Sequence, residues 1–335
     1  MALLFMDGFD HYTVNQRPDK KWTGSSFITI SSSYARFSGQ GLFITSGGYA
    51  QLCDIGVNKS TIYFGMAVKK ISGGNPAVST SYPLLMFLDE SGVNQVLLCV
   101  NSAYGIVAYD GSPSLLGSSS DGVIPDQKWF YLEVKVTISA TVGEVTARVN
   151  ETQVLNLTSQ DTKNGSDYIR QFRITAINMN LDTNFDDIYI DDAQFHGDCR
   201  IRTFMPDSIS GTNNDFTASA GNKDECVDEA QSNEDTDYIT SDTVNNKQTF
   251  GITTGALGTV IGIQLNNHCK LDEAGTRKIT PLIRSNSTNY SGTETDQIPA
   301  DYNFESEIFE DDPDDSNPWT QTKLEAAEFG LEITT

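Results

Sequence analysis

Apolar and polar residues alternate with period two in segment after segment of this chain, the signature of half-buried β-strands. Four such segments crowd into some fifty residues: STIYFGMAVKKI (60–71), PLLMFLDE (83–90), NQVLLCVN (94–101) and YGIVAYDG (104–111). KWFYLEVKVTI (128–138) follows, then GEVTARVNETQVLNLT (143–158), which reads as two strands around a tight turn at Asn150–Glu151. IRQFRITAI (169–177) and FDDIYIDDAQF (185–195) close the first half. Gly, Ser and Asn fill the connections, and no helical periodicity intervenes. Strands spaced this closely predict an antiparallel β-sandwich rather than a doubly wound sheet.

A compositional break follows, Pro-, Gly- and Asn-rich around Met205–Gly221, and predicts a boundary: one domain over 1–201, a second over 202–335. The second half is again mainly β, with candidate strands at 236–242, 248–254, 258–271, 276–285 and 302–310. Thr320 to Phe329 carries the one helix signature, with Thr320 as cap and Gly330 as stop, before a last strand at 331–334. The fold class expected is therefore mainly β: an antiparallel sandwich, then a second, smaller β-sandwich with one short C-terminal helix.

Charge changes this picture only at the surface. The chain of 335 residues has a formal net charge of −23. Residues 1–200 contribute −6 of it and residues 201–335 contribute −17. So acidic a surface argues against nucleic acid, which demands a basic footprint. The apolar opening before Asp7 is too short for a secretory or membrane segment, so no membrane association is expected. Five scattered cysteines (53, 99, 199, 226 and 269) form no close pair, which makes zinc improbable and points to reduced thiols.

Residue types capable of chemistry cluster in four places. His196 with Cys199, and His268 with Cys269, are the only histidine–cysteine neighbours. Adjacent strand residues face opposite ways, so neither pair reads as a nucleophilic site. Seven carboxylates fall within Glu305–Asp315, but without the spacing or central Gly of a calcium loop. In 184–201, NFDDIYIDDAQFHGDCRI, simple alternation puts Phe185, Asp187, Tyr189 and Asp191 on one face. Asp186, Ile188, Ile190 and Asp192 fall on the other, so the acids disperse. Asp187 and Asp191 lack the partner acid and Trp platform of a sandwich glycosidase. No catalytic, cofactor-binding or metal-binding residue is assigned on this basis; no cofactor and no enzyme activity are expected.

Certain motifs resemble a known family. WFYLEV followed by GEVTARVNE, and the closing FDDIYI, resemble the core strands of concanavalin A-like (laminin-G-like) jelly rolls. The start FMDGFDHY, the exit FHGDCRI (195–201), and the later VDEAQSNEDTDYI and YNFESEIFEDDPDDSNPWT are similar to a group of bacteriophage proteins that join this domain to a second β domain. The resemblance implies a non-enzymatic structural component of a phage virion, decorating the head or forming part of the neck or tail. Its expected partners are other virion proteins, with homo-oligomerisation, and its expected place is the virion after synthesis in the host cytoplasm. The alternative is a carbohydrate-binding module for host attachment, with Tyr49, Tyr104 and Tyr109 as candidate exposed aromatics and a host glycan as partner.

Overall fold

The computed structural model describes residues 3–13, 22–52, 54–71, 76–81, 83–176, 181–207, 211–273 and 275–335; for 23–25, 51 and 52 it describes the backbone alone. Cys53 thus lies outside the described residues. Two compact units divide the chain, Met1–Arg202 and Thr203–Thr335.

In the first unit the described strands are β1 (Leu3–Asp7), β2 (Thr23–Ser31), β3 (Gly41–Leu52), β4 (Thr61–Lys70), β5 (Leu85–Leu88), β6 (Asn94–Val100) and β7 (Ile106–Asp110). After them come β8 (Leu115–Ser118), β9 (Phe130–Thr137), β10 (Gly143–Val149), β11 (Thr152–Gln160), β12 (Gln171–Thr175) and β13 (Thr183–Asp191). All belong to one antiparallel path, β11-β10-β9-β4-β13-β3-β12-β5-β6-β7-β8, with β1 added on β13 and β2 on β3. The long β3 is the crossing point. Leu42–Ile44 pair with β13, and Tyr49–Leu52 pair with β12. Gly47, at φ +78°, lies between the two pairings, where a residue with a Cβ would be strained.

The path folds back on itself around an apolar interior. Ile62, Phe64, Met66 and Val68 of β4 all point inward with exposures of 1% or less. Phe64 meets Phe172 of β12 and Phe87 of β5 at ring separations of 5.5 and 6.2 Å, so the two layers pack face to face. The Phe64–Phe87 contact is edge to face, an arrangement that adds to the burial energy. Asn150 and Glu151 both take positive φ (47° and 64°), the geometry of a two-residue hairpin between β10 and β11. The Asn150 side chain also accepts from the Tyr131 amide at 2.8 Å.

Simple alternation fails in β13. The register slips between Asp186 and Tyr189, and Asp187 sits at φ +51° as the extra residue of a bulge. Phe185 therefore joins Ile188 and Ile190 in the interior, all fully buried, whereas unbroken alternation put it opposite them.

The second unit, among its described residues, holds a four-stranded antiparallel sheet (247–250, 328–333, 279–285, 288–291) and three two-stranded pairings. Its apolar clusters centre on Phe216, Ile279, Ile298 and Ile333, and on Ile283, Trp319, Leu324 and Ala327. The helix is shorter than the sequence pattern suggests, Gln321–Ala326, because Glu328 already begins a strand. Phe329 pairs with Phe250 and Ile283 across that sheet, so tertiary pairing overrides the helical pattern. Gly330 is not a helix stop. A Cβ there would meet the Gln248 carbonyl oxygen at 1.8 Å, so it serves close strand approach. Thr320 does cap the helix, accepting from the Lys323 amide at 3.3 Å. Thr320→Ala should cost this unit about 1 kcal/mol, read as a lower midpoint of its thermal transition; an unchanged midpoint would show that the cap contributes nothing.

Candidate functional site

One face of the first unit combines aromatic, cationic and apolar side chains. On β12, Phe172 and Ile174 point into the interior, so Gln171, Arg173 and Thr175 point the other way. Backbone register then defines a row across the layer, Arg173–Met86–Leu97–Tyr109–Leu115, on strands β12, β5, β6, β7 and β8. Tyr49 of β3 is paired with Thr175 on the same side.

Met86, Leu88 and Leu97 are buried as an apolar cluster of their own, with Tyr109 packed against it. They form a floor. At one side the Arg173 guanidinium lies 5.0 Å from the Tyr49 ring centre, with Nη1 3.9 Å from the Met86 sulfur. At the other, three strands away and about 14 Å at the usual strand spacing, Tyr109 stands half-buried. Burial first, and then the nearby Cys99, push the Tyr109 hydroxyl above its ordinary pKa. Leu115, 63% exposed, ends the row. Next to Leu97 on this face, the Cys99 thiol reaches the Ser79 carbonyl at 3.3 Å, so the segment around Ser79 lies over that part of the layer. Burial pushes the Cys99 thiol up to about 12, which removes it as a nucleophile at neutral pH.

The tyrosines singled out from sequence separate accordingly. Tyr49 and Tyr109 share this face. Tyr104 belongs to the turn after β6, at φ +62°, and its hydroxyl accepts from Lys70 Nζ at 2.8 Å. Arg173 was missed. The available signal was a lone cation in the alternating run QFRIT, at a position where the strand faces away from the core.

The acids of 184–201 serve the scaffold. Asp191 holds His196 Nε2 at 2.9 Å, Asp192 pairs with Lys59 at 2.7 Å, and Asp198 pairs with Arg36 at 2.6 Å. Glu133, fully buried, accepts from the Tyr189 hydroxyl at 2.6 Å and from the Gly197 amide at 2.8 Å. These contacts fasten the exit segment 195–201 to the layer. Asp186 accepts from the Arg36 amide and Asp187 from the Ile201 amide, both at 2.8 Å. Burial, and for Asp186 the adjoining Asp187, push both carboxyls upward. Among the described residues no three His, Cys, Asp or Glu side chains are placed to hold a metal ion.

Neither histidine–cysteine pair makes a reactive couple. Cys199 Sγ contacts the His196 carbonyl, not its ring, and burial pushes the thiol up to about 12. His268 stacks on Phe304 at 4.3 Å and Tyr302 at 5.1 Å, and desolvation likewise pushes the half-buried Cys269 thiol up to about 12. In the acidic run, Asp312 and Asp315 both contact Lys323 and Glu307 accepts from the Thr293 amide, so these acids tie loops together.

No family model and no curated protein matches the chain. Solved structures similar to it include the endo-β-1,4-glucuronan lyase of Trichoderma reesei, at 12% identity and TM-score 0.41, covering 56% of this chain and 95% of that one. An alginate lyase solved with alginate trisaccharide has 13% identity and TM-score 0.33, covering 51% and 88%. The globular domain of T. cruzi calreticulin has 12% identity and TM-score 0.38, covering 58% and 89%. These findings correct the expectation of a non-enzymatic phage component: glycan-processing enzymes stand among the similar structures, and none of those named is a virion protein. The exclusion of catalysis is withdrawn with it.

Proposed function

We propose that residues 1–201 form a concanavalin A-like jelly roll whose outer β12–β5–β6–β7 face binds carbohydrate. One observation carries this reading: the half-buried Tyr49, Arg173 and Tyr109 lie on a single face, above the buried apolar cluster of Met86, Leu88 and Leu97. Sugar rings present C–H faces that pack on tyrosine and aliphatic surface, while their hydroxyls need a few well-placed polar groups. The long β3, shared between two layers, supports the jelly-roll assignment. The second unit has no part in this reading.

The test is a titration of the full chain against a panel of soluble polysaccharides, followed by calorimetry on any that bind. Tyr49→Ala and Tyr109→Ala are each expected to weaken binding about tenfold, close to 1.4 kcal/mol, with the thermal midpoint used to confirm folding. Absence of binding across the panel, or variants that bind as the parent does, would remove the proposal.

A further inference from the structure

We infer that residues 195–201 form a pH-released strap, fastened to β13 by the Asp186–Asp187 pair and let go when both carboxyls ionise. The inference does not rest on the carbohydrate reading. The strap ends the first unit, and the chain passes from it into the second.

Fastening is the first argument. The upstream part of the strap hangs on the His196 amide, which donates to the Tyr189 hydroxyl at 3.0 Å, and on the Gly197 amide, which donates to Glu133 at 2.8 Å. The downstream part depends on the pair. Asp187 accepts from the Ile201 amide at 2.8 Å. Arg36 grips Asp198 through both Nη1 and Nη2 at 2.6 Å and donates to the Cys199 carbonyl at 3.4 Å. The pair in turn places Arg36. Its amide donates to Asp186 at 2.8 Å, and its Nη1 lies 3.5 Å from Asp187. Arg200 adds its guanidinium over the Phe37 ring at 4.7 Å.

The bulge is the second. Neighbouring residues of an unbroken strand face apart. In β13 the slipped register and the positive φ of Asp187 bring both acids onto Arg36 instead. They are only 5% and 2% exposed, and the guanidinium beside them is already shared with Asp198. Two like charges so placed resist ionising together. The other charged or titratable groups around them come from three elements. Asp10 faces them from the loop after β1, and Asp198, Cys199 and Arg200 face them from the strap. Tyr131 of β9 gives its hydroxyl to the Asp187 carbonyl at 2.8 Å. Burial pushes the Tyr131 hydroxyl upward and the Cys199 thiol up to about 12, so neither ionises near pH 8.

The sign of the pH effect follows from burial, which is the first cause raising both carboxyls while the strap is closed. Lifting the Ile201 amide and the Arg36–Asp198 clasp opens the pair to water and returns both carboxyls toward about 4. The closed state therefore holds more protons than the open one, and its advantage is lost as pH rises through the raised values. Each proton shed on opening multiplies the open fraction by up to about tenfold per pH unit.

Trypsin reads the strap, because cleavage after Arg200 or Arg202 needs the segment drawn out of its bonds. The full chain is digested between pH 7 and pH 9, and each rate is divided by that of a synthetic peptide spanning 195–206, which removes the protease's own pH dependence. The normalised rate at Arg200 or Arg202 is expected to rise at least about fivefold in the parent. It should stay flat in Asp186→Asn and in Asp186→Ser, two non-ionising variants that each keep an acceptor for the Arg36 amide, with a thermal melt to establish that each is folded. His196→Gln, which keeps a donor for Asp191, should rise as the parent does. A flat parent, a rise that survives in a folded Asp186 variant, or a rise lost in His196→Gln overturns the inference. So does cutting at Arg148 and Arg173 in step with Arg200, because the whole unit would then be opening rather than the strap.

Discussion

Gly65→Ala is expected to lower the melting temperature of the first unit by roughly 6–12 °C. Gly65 sits on β4 between Tyr189 of β13 and Glu133 of β9. The Tyr189 ring passes over it to give its hydroxyl to Glu133 at 2.6 Å, and the same oxygen accepts from the His196 amide at 3.0 Å. A Cβ on residue 65 would stand 2.0 Å from the ring, so the ring must leave. Overpacking of this kind costs about 1–3 kcal/mol. Loss of a hydrogen bond to a buried charged group adds about 1.5–3 kcal/mol. A combined cost near 3 kcal/mol gives the stated shift at about 2–4 °C per kcal/mol for a unit of this size. The mechanism has its own control. In a Tyr189→Ala background the space is vacant, so adding Gly65→Ala there should change the midpoint little. A fall of the same size in both backgrounds would mean that the strain lies elsewhere in β4.

The same row of residues separates what was legible in the sequence from what was not. Strands β4, β6, β9 and β10 lie close to the alternating segments read from sequence, because each buries one face and exposes little of the other. Gly65 carries no signal of its own within the alternating run 60–71. Its role depends on a tyrosine 124 positions later, a pairing that alternation does not encode. The Asp187 bulge was hidden for a similar reason: an inserted residue is invisible in a run of D, I and Y, yet it reverses which side Phe185 faces. The acidic density of 184–201 drew attention to chemistry, while the structure uses these side chains as fasteners for the exit segment. The candidate face was half legible. Tyr49 and Tyr109 could be named as aromatics, but bringing them to one surface with Arg173 required the crossing of β3 from β13 to β12.

Asp186→Asn should make the protein less sensitive to alkaline pH. In the folded state, burial first and Asp187 second raise the Asp186 carboxyl to about 8, against roughly 4 in an unfolded chain. The pair is closely coupled, since Asp187 is also raised by burial despite the Ile201 amide and the Arg36 guanidinium beside it. A carboxyl raised on folding binds more protons in the native than in the unfolded state between those two values. Its stabilising contribution is therefore complete below about pH 4, declines as pH rises, and is gone above about pH 8. Asparagine at 186 cannot ionise, and it removes the repulsion that hinders Asp187 from doing so. Relative to the parent, the variant should gain on the order of 3 kcal/mol between pH 5.5 and 8.5, allowing for the coupling of the pair. At either pH it also carries a constant penalty, because one amide nitrogen replaces an oxygen that accepts from the Arg36 or Asp187 backbone. The informative quantity is thus the difference between the two slopes of melting temperature against pH, not either midpoint. Parallel slopes would mean that Asp186 is ionised throughout the range and that the Arg36 and Asp187 amides suffice to hold its charge.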